Sequence, residues 1–153
     1  MSDSVNILII NGVNLAHLGT REIDIYGGIS FDAYLETLKK DNPDSNIEFF
    51  QSDSEGETAS KIANAAGLDA IILNAGAYTH TSVVIADAIR TTSVPVIEVH
   101  ISNLFGRENY RKNNAISQAC AGFISGFGLD GYDLAVKSVV LKKKKRNVKL
   151  FKN

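Results

Sequence analysis

"DAIILN", residues Asp69 to Asn74, sets an unbroken apolar run, Ala70 to Leu73, between an acid and an amide. The run shows no polar–apolar alternation, so the strand it predicts is covered on both faces. Similar apolar runs stand at "VNILII" (Val5–Ile10), "NIEFFQ" (Asn46–Gln51) and "PVIEVH" (Pro95–His100), and "GFISGFG" (Gly122–Gly128) is a weaker, glycine-rich one. Stretches of helical spacing lie between them. Ser30 caps the first, where Phe31, Tyr34, Leu35 and Leu38 share a face. Further helices are expected at Gly56–Ala66, closed by Gly67, at Ser82–Arg90, near Arg107–Asn114 and at Tyr132–Leu141.

Apolar strands that alternate with helices call for a parallel sheet with helices on both faces. Five such units predict a doubly wound α/β fold of the flavodoxin-like kind, strand order 2-1-3-4-5. The 153 residues carry no internal repeat and no linker, so one domain is expected over 1–153. Residues 142–153, "KKKKRNVKLFKN", break the composition and read as a basic tail: a solvated helix end or a loose terminus, with an anion-binding patch as the alternative.

Bulk composition narrows the function classes. The chain is 44% hydrophobic and 22% charged, ordinary for a globular protein. Its net charge of -1 gives no general attraction to nucleic acid or to a membrane surface. The single cysteine, Cys120, excludes an internal disulfide and suits a reducing compartment. "MSDSVNILII" carries an acid where a secretory signal needs positive charge, and its apolar run is too short for one. No stretch approaches the ~20 apolar residues of a membrane span. A cytoplasmic protein is expected.

In open α/β sheets, ligands sit beyond the carboxyl ends of the strands. The polar chemistry of this chain lies there. The first strand leads into "NLAHLGTREIDIYGG" (Asn14–Gly28), longer than a plain connection needs; "SDSEGE" follows the second, "NAGAYTHTS" the third and "HISN" the fourth. The other edge has plain turns such as "DNPDSN". A functional crevice at the carboxyl edge follows.

The residues there exclude several chemistries. No G-x-G-x-x-G turn, G-x-x-x-x-G-K-[ST] loop or G-x-S-x-G elbow is present. His17, His80 and His100 lack the spacing of a local zinc motif, and no lysine lies in an apolar strand where its pKa would fall for imine chemistry. What is left is Asn, Arg, Tyr, His and Ser, a set suited to acid–base chemistry on a hydroxylated anion without metal or cofactor.

Each candidate has a plain structural reading beside its functional one. Glu98 and His100, two apart on a strand, share a face of the sheet. They form either a structural pair or a general acid whose proton Glu98 stabilises. Tyr26 either packs on the sheet edge or serves as a base, its phenol acidified by Arg21 on the same loop. Asn74 is either a turn former or a ligand. His80 could cap the next helix, although Ser82 or Thr81 would do so better.

In order along the chain, "NGVNLAHLGTREIDIYG", "QSDSEGE", "ILNAGAYTHTS" and "IEVHISNLFGRENYRKN" resemble the type II 3-dehydroquinate dehydratases from about Ile7 to Leu141. The main departure is Val13, where that family commonly has proline. The resemblance implies a lyase that dehydrates 3-dehydroquinate to 3-dehydroshikimate through an enolate. It implies Tyr26 as base, Arg21 as the residue lowering its pKa, His100 as acid supported by Glu98, and Asn14 beside the base. It further implies that Asn74 and the Ile101 and Ser102 amides hold the substrate carboxylate, and that His80 and Arg111 meet ring hydroxyls. Asp87 would reach in from a neighbouring subunit of a dodecamer built from trimers. Arg107 is given no direct contact. The Asn14–Gly28 loop would then be a lid that closes over substrate. The rival reading is a flavin-binding or non-enzymatic module on the same fold. Its phosphate loop or acidic cluster is missing from "NGVNLAHLG".

Overall fold

The computed structural model describes residues 4–20, 24 and 27–150, the side chains of 148–150 excepted. Five strands, β1 (Val5–Asn11), β2 (Ser45–Gln51), β3 (Ala70–Asn74), β4 (Val96–His100) and β5 (Gly122–Ser125), form one sheet of order β2-β1-β3-β4-β5. Every pairing is parallel. The helices are α1 (Phe31–Asp41), α2 (Glu55–Ala63), α3 (Val83–Thr91) and α4 (Asp130–Leu150).

The two-residue period of the strands divides the core. Ile7, Ile9, Ile72, Ile97 and Val99 face α1 and α4, packing on Phe31, Leu35, Leu38, Tyr132 and Val136. Leu8, Ile10, Ile71, Leu73 and Val96 face α2 and α3, packing on Ile62, Ile85 and Ile89. Each fully buried aliphatic side chain contributes about 1.5–3 kcal/mol, so this two-sided burial is what holds the sheet. Ser30, Ser54 and Ser82 cap the starts of α1, α2 and α3, accepting from Ala33, Glu57 and Ile85 N–H groups.

Some boundaries differ from expectation. α2 ends at Ala63, before the expected Ala66, with Asn64 as its C-cap. β5 stops at Ser125, whose hydroxyl donates to the Ser102 carbonyl (2.9 Å) and accepts from Leu104 N–H (3.2 Å). The expected helix near Arg107–Asn114 is instead two short 3-10 turns, Leu104–Gly106 and Asn109–Lys112. α4 runs past its expected end at Leu141 to Leu150, so the basic run up to there is a helix end, the first of its expected readings. Lysines are good helix formers, and Asp69 anchors the far end. Lys143 donates to Asp69 (3.0 Å) and to the Ser4 carbonyl (2.6 Å), and Arg146 lies 3.4 Å from Asp69. Burial alone would raise the Asp69 carboxyl; the Asn6 N–H and these cations outweigh it and hold it below its usual value. Among the described residues no helix is long and apolar enough to cross a membrane.

Candidate active site

The loops after β1 and β3 are pressed together at the carboxyl edge. Gly12 N–H donates to the Asn74 carbonyl (2.7 Å), and a Cβ on Gly12 would meet the Ala75 carbonyl oxygen at 2.7 Å. Gly76, at φ +61, presses the same way on the Val13 carbonyl. Only glycine allows that approach. Asn14 follows in the left-handed region (φ 65), which asparagine tolerates, and its N–H donates to Asp53 Oδ1 (3.0 Å) from the loop after β2. A short turn, Leu15–His17, then buries Leu15.

A cavity of about 170 Å³ opens above this junction. Asn14, Asn74, His80, His100, Ile101, Ser102 and Arg111 all line it, so the fold gathers these expected site residues from the loops after β1, β3 and β4. Arg107, given no direct contact with substrate, also lines the cavity, and its Nη1 donates to the Ser102 hydroxyl (3.3 Å). Asp87 is not part of it: it stands exposed on α3, paired with Arg90 at 3.1 Å. Arg21 and Tyr26 lie outside the described residues. No α-helix begins behind Ile101 and Ser102; a three-residue 3-10 turn follows, so any anion held there meets loop amides rather than a helix dipole.

Glu98 is wholly buried, and His100 is nearly so. His100 Nε2 lies 2.6 Å from Glu98 Oε1. Asn114 Nδ2 donates to the same oxygen (2.8 Å), and the Ser117 hydroxyl donates to Glu98 Oε2. Burial pushes the Glu98 carboxyl up, but the His100 hydrogen bond and charge, with Ser117 and Asn114, more than offset it and leave it below the usual carboxylate range. An ionised Glu98 only accepts, so the His100 proton facing it sits on Nε2. Nδ1 is the ring nitrogen left over for chemistry. Phe123 packs on the ring at 5.6 Å and fixes its tilt.

The remaining polar groups face the cavity with defined roles. His80 Nδ1 lies 2.6 Å from the Asn113 carbonyl, which accepts only, so in the neutral ring Nε2 is an acceptor. Arg111 is held by Glu108 (2.8 Å) and lies over the Tyr110 ring. Cys120 is no nucleophile: burial, reinforced by Glu98, pushes its thiol up to about 12. Among the described residues no cluster of His, Cys, Asp and Glu could hold a metal ion. Asn114, Ser117 and Tyr132 were not visible as site residues in the sequence. Asn114 and Ser117 lie far along the connection after β4 and Tyr132 lies on α4, and no spacing rule connects them to Glu98 or Asn74.

Comparison with known proteins meets this geometry from another direction. The sequence profile of the family described as dehydroquinase class II matches residues 5–140. The 3-dehydroquinate dehydratase of Pelodictyon phaeoclathratiforme is 41% identical over 143 residues, 92% of this chain and 95% of its own. That of Caldicellulosiruptor saccharolyticus is 48% identical over 134 residues, 85% of this chain and 92% of its own. The crystal structure of the type II dehydroquinase from Butyrivibrio crossotus superposes with a TM-score of 0.85 at 38% identity, covering 89% of this chain and 97% of that one. The chain belongs to the dehydroquinase class II family.

Proposed function

We propose that this protein dehydrates 3-dehydroquinate to 3-dehydroshikimate with Tyr26 as base and His100 as acid. The observation that carries the reading is the buried Glu98–His100 pair, 2.6 Å apart, at the wall of a cavity shared with Asn14, Asn74, Arg107 and Arg111. The Tyr26 phenolate, its pKa lowered by Arg21, takes the proton beside the ketone, and the C–H electron pair forms an enolate. In this reading Asn14 assists that base. The enolate collapses to a carbon–carbon double bond as the carbon–oxygen bond breaks, and the hydroxyl leaves as water with a proton from His100. Glu98 stabilises the imidazolium before that transfer. Asn74 and the Ile101 and Ser102 amides hold the substrate carboxylate, while His80 and Arg111 take ring hydroxyls.

The assembly belongs to the same proposal. Asp87, 69% exposed and not part of the lining of its own cavity, gains a role only if it reaches a neighbour's site in a dodecamer of trimers. Val83 and Val84, exposed on the same helix, favour such a contact. Sedimentation of a fully active monomer removes that role.

The direct test is addition of 3-dehydroquinate to the purified protein. The conjugated product should appear as rising ultraviolet absorbance, unaffected by chelator or by borohydride. No absorbance change, or inactivation by borohydride only when substrate is present, overturns the reading.

A further inference from the structure

Beneath the cavity, on the sheet face opposite Glu98, runs a second buried hydrogen-bonded chain that the reaction above leaves unused. Asn11 and Asn74 stand opposite each other at the last rung of β1 and β3, and both are buried. Tyr132, from the first turn of α4, reaches between them. Its ring is wholly buried, 4.9 Å from Phe31 and 6.1 Å from Tyr34. Its hydroxyl donates to Asn11 Oδ1 (2.7 Å) and accepts from Asn74 Nδ2 (2.9 Å). Asn74 Oδ1 in turn accepts from Gly76 N–H (3.2 Å).

The direction of this chain is set by its one immovable member. A backbone N–H only donates, so the group facing Gly76 must be Oδ1 and the group facing Tyr132 must be Nδ2. The phenol then offers a lone pair to Asn74 and sends its single proton to Asn11. Desolvation by burial raises the Tyr132 pKa, which keeps that proton in place. Asn74 has two amide hydrogens, and the phenol takes one. The other belongs to a side chain that lines the cavity.

We infer that Tyr132 is a positioning residue: by gripping one N–H of Asn74 it holds the other toward the anionic group of the bound substrate. The inference rests on the proposed function, in which Asn74 holds the substrate carboxylate. Neither the phenol nor Asn11 lines the cavity, so Tyr132 acts only through Asn74. A group that orients ground state and transition state alike changes KM and spares kcat.

Tyr132→Phe keeps the ring and removes the oxygen. It should raise KM for 3-dehydroquinate about tenfold with kcat within about twofold. Asn74→Ala should raise KM as well, and adding Tyr132→Phe to it should change KM no further, since the intermediary is gone. An unchanged KM in Tyr132→Phe, or additive effects in the double variant, overturns the inference. So does a loss confined to kcat and melting temperature, which a merely structural role would produce. A second readout needs neither turnover nor the variant's folding. In wild-type protein the Asn74 side-chain amide, identified by NMR, should show one slowly exchanging proton. Two fast-exchanging protons there overturn the inference. Wild-type protein inert toward 3-dehydroquinate counts against the proposed function alone, and the amide measurement still decides the role of Tyr132.

Discussion

On one face of the sheet the cavity is backed by Glu98, an ionised group with a donor on each oxygen, and by the imidazole it holds. On the other face it is backed by Asn11, Tyr132 and Asn74, neutral groups joined through one phenol. The costs of the two networks differ. Removing one partner of a buried charged pair costs about 3–5 kcal/mol, whereas a neutral hydrogen bond contributes about 1 kcal/mol. A protein that needed only shape would use the neutral kind throughout. On the proposed reading the difference is a division of labour: the charged face would move a proton, and the neutral face would hold a geometry.

The sharpest way to break that division is to remove the reacting groups. His100→Asn should lower kcat by about 10²–10⁴ and leave KM nearly unchanged, since general acid catalysis is worth that much. A variant that raises KM and spares kcat would make His100 a binding group and collapse the contrast. Tyr26→Phe should abolish turnover at every pH while product-like ligands still bind. Arg21→Ala should differ in kind, with activity low at pH 7 and rising toward the ordinary phenol value near ~10. A pH profile of kcat/KM that is lowered without changing shape would show that Arg21 positions substrate and does not tune the phenol.

Glu98→Gln comes next in size, with kcat expected to fall about tenfold to a hundredfold. The variant keeps the volume and loses the charge that favours the imidazolium. It also carries a stability signature with a definite sign. The Glu98 carboxyl is lower in the folded protein than unfolded. Its contribution is therefore fully present above the unfolded value of about 4.3 and is lost as pH falls through the folded one. Urea unfolding should show wild type ahead of Glu98→Gln at pH 7 by roughly 1–3 kcal/mol, with the gap closing in acid. A gap that stays constant from pH 7 to acid would mean that Glu98 is not ionised in the fold.

Much of this was legible because it depends on neighbours in the chain. The buried strands announce themselves as apolar runs, and the strand period alone puts Glu98 and His100 on one face. The sheet order followed from strands alternating with helices, and the cavity's place from the edge at which the polar loops fall. The hidden part depends on residues brought in from elsewhere. Asn114 and Ser117 reach Glu98 from 16 and 19 residues away. Tyr132 reaches Asn11 across 121 residues. In the sequence it reads only as the first residue of a helix. The anchor of the basic run was hidden for the same reason, since nothing local shows that Asp69, 74 residues earlier, holds Lys143. Asp87 stands outside the cavity, paired with Arg90 on its own helix, and only the proposed assembly would give it a place in a site.

The smallest effect gives the finest test, because it sets two single hydroxyls against each other. Ser117→Ala removes the donor to Glu98 Oε2, while His100 and Asn114 still serve Oε1. The backbone should not move, since Ser117 N–H remains bound to Asn114 Oδ1 at 2.8 Å. A hydrogen bond to a charged group is worth about 1.5–3 kcal/mol, and Ser117 is only half-buried, so water can replace part of it; about 1 kcal/mol should be lost at pH 7. With one donor fewer the Glu98 pKa rises toward the unfolded value. The acid-side loss of stability then begins at higher pH than in wild type. Without the Ser117 anchor the carboxylate is less fixed in orientation and aligns the imidazole less well, so kcat should fall a few-fold with KM unchanged. Tyr132→Phe also removes one buried hydroxyl, yet it should move KM and spare kcat. Steady-state kinetics of the two variants side by side decide the matter. If Ser117→Ala shifts KM, or both variants shift the same constant, the two faces of the sheet do not divide the work.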